Sequence, residues 1–221
     1  MIDKIASKNK KEVFVLLHDI RSVHNVGSIW RTANAAGVKK IFLSGYTPLP
    51  VDRFGRERKD FVKVALNSQK SVAWEYVKNP ASLIKRLKKE GFHIVAIEQS
   101  KKSVDYKKVK IKKPILFLVG NEVEGTPQDL LNLVDIVAEI PMRGDKESLN
   151  VSVAFGIALF RMLGIWDHKM IQIAEKDDTI KTAENKDILK IVVKNDAIKA
   201  IKWYKKAVIL FYEQNSARFF K

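Results

Sequence analysis

The chain has 221 residues, 46% of them apolar and 30% charged, which describes a folded globular protein of one large domain, or one domain with an appendage. It contains no cysteine, which excludes disulfides, thiolate zinc sites and cysteine nucleophiles. Its formal net charge of +16 points to a polyanionic partner, and because residues 170–221 carry 11 Lys+Arg against 7 Asp+Glu, most of that charge belongs to residues 1–169.

MIDKIASKNKKEV has no apolar stretch of the secretory type, and no run reaches the length of a membrane span, so the expected location is the cytoplasm. VFVLLH (13–18) reads as a first strand. NVGSIWRTANAAG (25–37) follows, with Val26, Ile29, Trp30, Ala33 and Ala36 at helical spacing and Gly37 as a stop. KIFLS (40–44) is a second strand, and GYTPLPVDRFGRERKD (45–60) reads as a long loop, of a length that is usually functional or mobile. SQKSVAWEYV (68–77) fits no single pattern. NPASLIKRLKKEG (79–91) is a helix with Pro80 at its first position and Gly91 at its end. FHIVAI (92–97) and PILFLVG (114–120) are strands, the latter apolar enough to be buried on both faces. TPQDLLNLV (126–134) is a short helix with Thr126 as cap and Pro127 in first position, DIVAEIPM (135–142) a strand, and VSVAFGIALFRML (151–163) a buried helix. Strands alternating with helices over 13–163 predict an α/β domain with a mostly parallel sheet and helices on both faces. Residues 169–221 open with a polar linker and continue as a basic, aromatic, helical extension.

Ligands of open parallel sheets bind at the carboxyl ends of the strands. Four such ends carry unusual sequence: HDIRSVHNVGSIWR, EQSKKS, GNEVEG and PMRGDKESLN. They offer Asn25, Arg31, Glu122, Ser148 and Asn150, beside Gly120, Gly125 and Gly144. Neither GxxxxGK[ST] nor a strand-linked GxGxxG occurs, and His18, His24, His93 and His168 lack metal spacing, His93 reading as a structural strand residue. Taken singly, Asn25 is a helix N-cap, Arg31 a surface ion-pair residue, Glu122 a turn carboxylate, and Ser148 and Asn150 are caps of the last helix.

Together, HNVGSIWRTANAAGV, LVGNEVEG with DIVAEIPM, and KESLNVSVAFGIAL resemble, in order, the three motifs of the SpoU/TrmH-type RNA methyltransferases. The resemblance covers roughly residues 11–168. It implies an α/β fold whose C-terminal part is threaded into a deep trefoil knot, an exception to the rule that chains are unknotted. It implies a domain over 1–168 with the appendage at 169–221, a homodimer, S-adenosylmethionine as cofactor, and methylation of a ribose 2′-hydroxyl in tRNA or rRNA. By motif position, Arg31, Asn25, Glu122, Ser148 and Asn150 become catalytic residues, Glu122 orienting Arg31 from the knot or a partner subunit. Gly120, Asn121, Ile140, Met142 and Leu149 become cofactor contacts, largely through the backbone. The chain departs from the family at Ser22–His24, where a proline often precedes the asparagine, and at Val123, where glycine is common.

Because a guanidinium holds its proton to a pKa above ~12, Arg31 reads better as a phosphate clamp and alkoxide stabiliser than as a base. Arg53, Arg56, Arg58 and Lys59, with the lysine cluster 101–113, are the expected RNA-backbone contacts, and Tyr46 and Phe54 are candidates for stacking on bases. Two other readings stay open: a knotted RNA-binding protein without catalysis, and a base-directed methyltransferase on the same fold.

Overall fold

The computed structural model describes residues 12–165. The expected extension over 169–221 lies outside the described residues, as does His168.

Seven strands form one sheet, with every pairing parallel. They are β1 (Val13–His18), β2 (Lys40–Ser44), β3 (Ala73–Val77), β4 (His93–Ile97), β5 (Val104–Asp105), β6 (Ile115–Val119) and β7 (Ile136–Glu139). Their order is β3-β2-β1-β6-β4-β7-β5. From β1 the chain steps outward through β2 and β3, then crosses to the far side, where β6 later slots between β1 and β4. The order of the strands reverses between β1 and β6, and sheets of this kind bind ligands at the carboxyl ends of their strands.

The helices are α1 (Val23–Ala35), α2 (Lys59–Ala65), α3 (Pro80–Lys89), α4 (Gln128–Leu131) and α5 (Val151–Met162). Side chains alternate across a strand, so β1 and β6 feed two cores. Val15, Leu17, Phe117 and Val119 pack with Trp30, Phe61 and Phe155 under α1, α2 and α5. Leu16, Leu116 and Leu118 pack with Leu83, Ile84, Leu87 and Leu130 under α3 and α4. All five residues of β6 are buried, which is why its sequence is an uninterrupted apolar run. Truncating one of its leucines to alanine costs about 2–5 kcal/mol. Within the first core, α1 and α2 approach so closely at Gly27 that a Cβ there would meet the Val64 side chain at 2.8 Å.

Several expectations need correction. The N-cap of α1 is Ser22, whose hydroxyl accepts the Asn25 N–H at 3.3 Å, so Asn25 lies inside the first turn with its side chain free for other work. The loop after β2 ends at Arg58, because Phe61 and Ala65 bury one face of the short α2. Residues 68–77 divide into a single 3-10 turn (Ser68–Lys70) and the edge strand β3. Thr126 does not cap α4: it is buried with its hydroxyl unpartnered, and Pro127 occupies the cap position. Asn150 caps α5, its Oδ1 accepting Ser152 N–H at 2.9 Å, whereas Ser148 caps nothing. His93 is structural as expected: its Nδ1 accepts the Lys112 N–H at 3.3 Å, and burial lowers its pKa.

Candidate active site

The site starts where β1 ends. Asp19 takes a left-handed conformation (φ 56°), and its carboxylate accepts the Tyr46 N–H at 3.0 Å. Thr47, buried, accepts the Ile20 N–H through Oγ1 at 3.1 Å, which pins the β1–α1 turn to the end of β2. The turn delivers Arg21 and Ser22 to Glu122, whose two carboxylate oxygens accept their N–H groups at 2.8 and 3.1 Å.

Three distant segments meet at that carboxylate. The Asn25 side-chain amide donates to Glu122 Oε1 at 2.9 Å, and the Asn150 amide donates to Asn25 Oδ1 at 3.0 Å. Asn150 Oδ1 is committed to the α5 cap, which fixes the amide orientation along the whole chain of bonds. Partial burial works to raise the Glu122 pKa, but hydrogen bonds from the Arg21 N–H, the Asn25 amide and the Ser22 N–H together outweigh it and hold the carboxyl below its ordinary value. Within this chain Glu122 therefore binds Asn25 and the β1–α1 turn.

Asn121 builds the neighbouring loop. Its amide donates to Asp19 O at 2.8 Å and to Tyr46 Oη at 2.6 Å, while its Oδ1 accepts the Val123 and Glu124 N–H groups at 2.7 and 2.8 Å. The buried side chain is saturated by these contacts, and the backbone pairs with Gly125 in both directions at 3.1 Å, so Asn121 shapes the loop that walls the cavity. Gly120 must be glycine for want of space: a Cβ would sit 2.6 Å from Thr126 N and 2.7 Å from the Gly125 carbonyl carbon. Gly125 supplies the positive φ (70°) that closes the loop, and Glu98 receives the Thr126 N–H beyond it at 2.8 Å.

Beside this loop lies a cavity of about 300 Å³, within the range of small-molecule sites. All five expected cofactor residues line it: Gly120, Asn121, Ile140, Met142 and Leu149. Glu122 and Ser148 line it too, while Asn25 and Asn150 adjoin it through the hydrogen bonds above. Gln99 ties its far rim, donating through Nε2 to Glu147 O at 2.9 Å. The charge of the cavity is not evident from the motifs. Glu98, Glu122, Glu139 and Glu147 are among its lining residues, the first three with carboxylates bonded to protein donors, and no Lys, Arg or His among the described residues lines it. In a chain of net charge +16, that is a local field for a cationic ligand. The signal was an acidic residue at the end of β4 and another at the end of β7.

Arg31 is exposed on α1, outside the cavity lining, and its side chain makes no ion pair or hydrogen bond to another described residue. Of the expected RNA contacts, Arg56 pairs with Asp52 at 2.8 Å and Arg58 with Asp60 at 2.6 Å, whereas Arg53 and Lys59 have no carboxylate partner among the described residues.

An all-parallel α/β sheet with a glutamate-lined cavity at the carboxyl ends of β4, β6 and β7 places the candidate small-molecule site at strand ends. The chain belongs to the SpoU rRNA methylase family, matched over residues 12–160. It is 35% identical over 157 residues to a tRNA (guanosine(18)-2′-O)-methyltransferase of Aquifex aeolicus, covering 71% of each chain. It is 31% identical over 159 residues to a 23S rRNA (guanosine-2′-O-)-methyltransferase of Vibrio parahaemolyticus, covering 72% of this chain and 62% of that one. Its fold matches an S-adenosylmethionine-bound rRNA methyltransferase of Sinorhizobium meliloti with a TM-score of 0.63 at 31% identity, over 72% of this chain and 59% of that one.

Proposed function

We propose that this chain transfers the methyl group of S-adenosylmethionine to a ribose 2′-hydroxyl of tRNA or rRNA. The observation that carries the reading is the meeting of three motifs at one acidic cavity, through the bonds from Asn150 to Asn25 to Glu122. The cavity fits the cofactor chemically: four carboxylates suit a ligand bearing a sulfonium and an ammonium, and the Leu149 backbone has no hydrogen-bond partner among the described residues. The relatives named as 2′-O-methyltransferases support the reaction type.

When bound, the cofactor supplies an electrophilic methyl group, so the protein's task is to position the acceptor. Asn25, Glu122 and Asn150 are positioning residues: they hold the β1–α1 turn and the start of α5 in register with the 120–125 loop. Ser148 faces the entering ribose from the cavity mouth. Arg31 clamps the phosphate beside the target ribose and stabilises the developing alkoxide, while the hydroxyl proton passes to that phosphate.

Because Arg31 lies outside its own chain's cavity lining, the working unit is a homodimer. Leu149, Val153, Ile157 and Ile165 are exposed apolar residues on and beside α5, and they suit burial against a second copy. We read the passage of 140–150 alongside the 120–125 loop as the deep trefoil knot, the methyltransferase domain as residues 1–168, and 169–221 as an appended unit. No helix among the described residues is long and apolar enough to cross a membrane, in keeping with a cytoplasmic RNA enzyme. Arg53, Arg56, Arg58 and Lys59 contact RNA phosphates, since exposed ion pairs worth about 0.2–1 kcal/mol exchange readily for phosphate.

Nucleoside mass spectrometry of tRNA and rRNA from a strain lacking the gene tests the reaction. Loss of one 2′-O-methylated nucleoside, restored by the wild-type gene and not by Arg31→Ala, is expected. An unchanged profile, or loss of a base-methylated nucleoside, overturns it. A crystal structure of the full chain with S-adenosylmethionine tests knot and dimer together; an unthreaded chain or a monomeric site overturns those parts.

A further inference from the structure

Among the described residues only three Phe, Tyr or Trp side chains are exposed: Phe54 at 66%, Tyr46 at 57% and Tyr76 at 45%. Scattered exposed aromatics would need no explanation. These three belong to one region, the carboxyl side of β2 and β3 and the loop between β2 and α2. Tyr46 follows β2 by two residues, Tyr76 pairs with Leu43 across the β2–β3 ladder, and Phe54 sits in the same loop as Tyr46.

The rings are held, not loose. Tyr46 Oη accepts the Asn121 amide at 2.6 Å, and its backbone N–H is bound by Asp19. Tyr76 donates its hydroxyl to Gly45 O at 3.3 Å. Phe54 crowns a small hairpin closed by the Val51–Glu57 bridge, in which Asp52 accepts the Phe54 and Arg56 N–H groups at 2.8 and 3.0 Å. The Arg53 and Arg56 guanidiniums lie 4.7 and 5.0 Å from the Phe54 ring centre. Two tyrosines tethered by their hydroxyls present ring faces with little further entropy to lose, and the hairpin adds stacked guanidinium planes. The surface is continuous with the site, because Asn121 holds Tyr46 with one end and the cavity loop with the other.

We propose that Tyr46, Tyr76 and Phe54 form a stacking surface for unpaired nucleobases flanking the methylated nucleotide. In an RNA duplex the base faces are covered by their neighbours, whereas splayed bases in loops and bulges offer a face to aromatic and guanidinium planes. The arginines beside Phe54 draw in the phosphates without selecting a sequence. The placement beside the target nucleotide rests on the methyltransferase reading; the preference for unpaired bases does not.

The test measures binding of a short fluorescent oligoadenylate to the full-length protein, as a single strand and annealed to oligouridylate. Tyr46→Leu, Tyr76→Leu and Phe54→Leu should each weaken single-strand binding at least about fivefold, the lower end for loss of one stacked base, and leave duplex binding within about twofold. Tyr46→Phe, which keeps the ring, should stay within about threefold of wild type on the single strand. Unchanged single-strand binding, equal losses on strand and duplex, or a Tyr46→Phe loss as large as that of Tyr46→Leu would overturn the proposal. Methyl transfer by the wild-type protein, measured in parallel, separates the two readings. A wild type that methylates RNA while the leucine variants bind normally removes only the stacking surface. A wild type that prefers single strands through these residues but never methylates removes only the catalytic reading.

Discussion

Replacing Glu122 by alanine deletes three hydrogen bonds at once: from Arg21 N–H at 2.8 Å, Asn25 Nδ2 at 2.9 Å and Ser22 N–H at 3.1 Å. Bonds to a charged acceptor contribute about 1.5–3 kcal/mol where solvent is excluded. Glu122 is only half-buried, and solvent screening reduces each to about 1 kcal/mol. The expected loss is therefore roughly 2–3 kcal/mol, or about 4–12 °C in melting temperature for a chain of this size. The chemical loss should be larger. Freeing the β1–α1 turn and Asn25 lets the acceptor site drift, and misplacement of about 1 Å costs roughly 100-fold in rate. The sign of the pH effect follows from the depressed Glu122 pKa. A carboxyl with a lower pKa in the folded state stabilises fully above its unfolded pKa and loses that contribution as pH falls through its folded pKa. The stability gap between wild type and Glu122→Gln should thus be widest near neutrality and close in acid. Thermal melts across pH, with transfer of labelled methyl from S-adenosylmethionine to bulk RNA at a temperature where both proteins are folded, measure both effects. A Glu122→Ala protein with the expected melting loss and transfer within about twofold of wild type would refute the positioning role.

Other expectations follow from the same geometry. Gly120→Ala should weaken S-adenosylmethionine binding at least about tenfold by calorimetry, because its Cβ would press on backbone at Thr126 N and Gly125; unchanged affinity would place the ligand elsewhere. Ser22→Ala should lower stability by about 1 kcal/mol through loss of the α1 cap, whereas Asn25→Ala should leave that cap intact and abolish most transfer; the reverse pattern in melts and rates would reject the assignment. Glu147→Gln should weaken cationic S-adenosylmethionine by about two- to fivefold and its neutral-sulfur product less, since the Glu147 carboxylate lines the cavity without a partner among the described residues; equal losses for both ligands would contradict the electrostatic reading.

The parts of the fold that could be read in advance are those whose physics is local. β6 is apolar throughout and β1 is apolar up to His18 because both faces are covered, and α3 carries its own start and stop in Asn79, Pro80 and Gly91. α2 stayed hidden because Arg58, Lys59, Asp60 and Lys63 surround two buried residues, Phe61 and Ala65. β3 stayed hidden because an edge strand with exposed Ala73, Glu75 and Tyr76 has no apolar pattern to follow. The cavity lining was legible through motif order, although its acidic character was not, since only the fold brings Glu98 beside Glu139 and Glu147. The bond from Asn150 to Asn25 spans 125 positions, and only the folded sheet brings those amides together.

The most direct test of the central claim is nucleoside analysis of RNA incubated with the purified full-length protein and methyl-labelled S-adenosylmethionine, using tRNA and rRNA from a strain lacking the gene. Label is expected in a single 2′-O-methylated nucleoside, at least about 100-fold reduced in Asn25→Ala. Label on a base, or no label with an RNA population that contains the unmodified target, would contradict it.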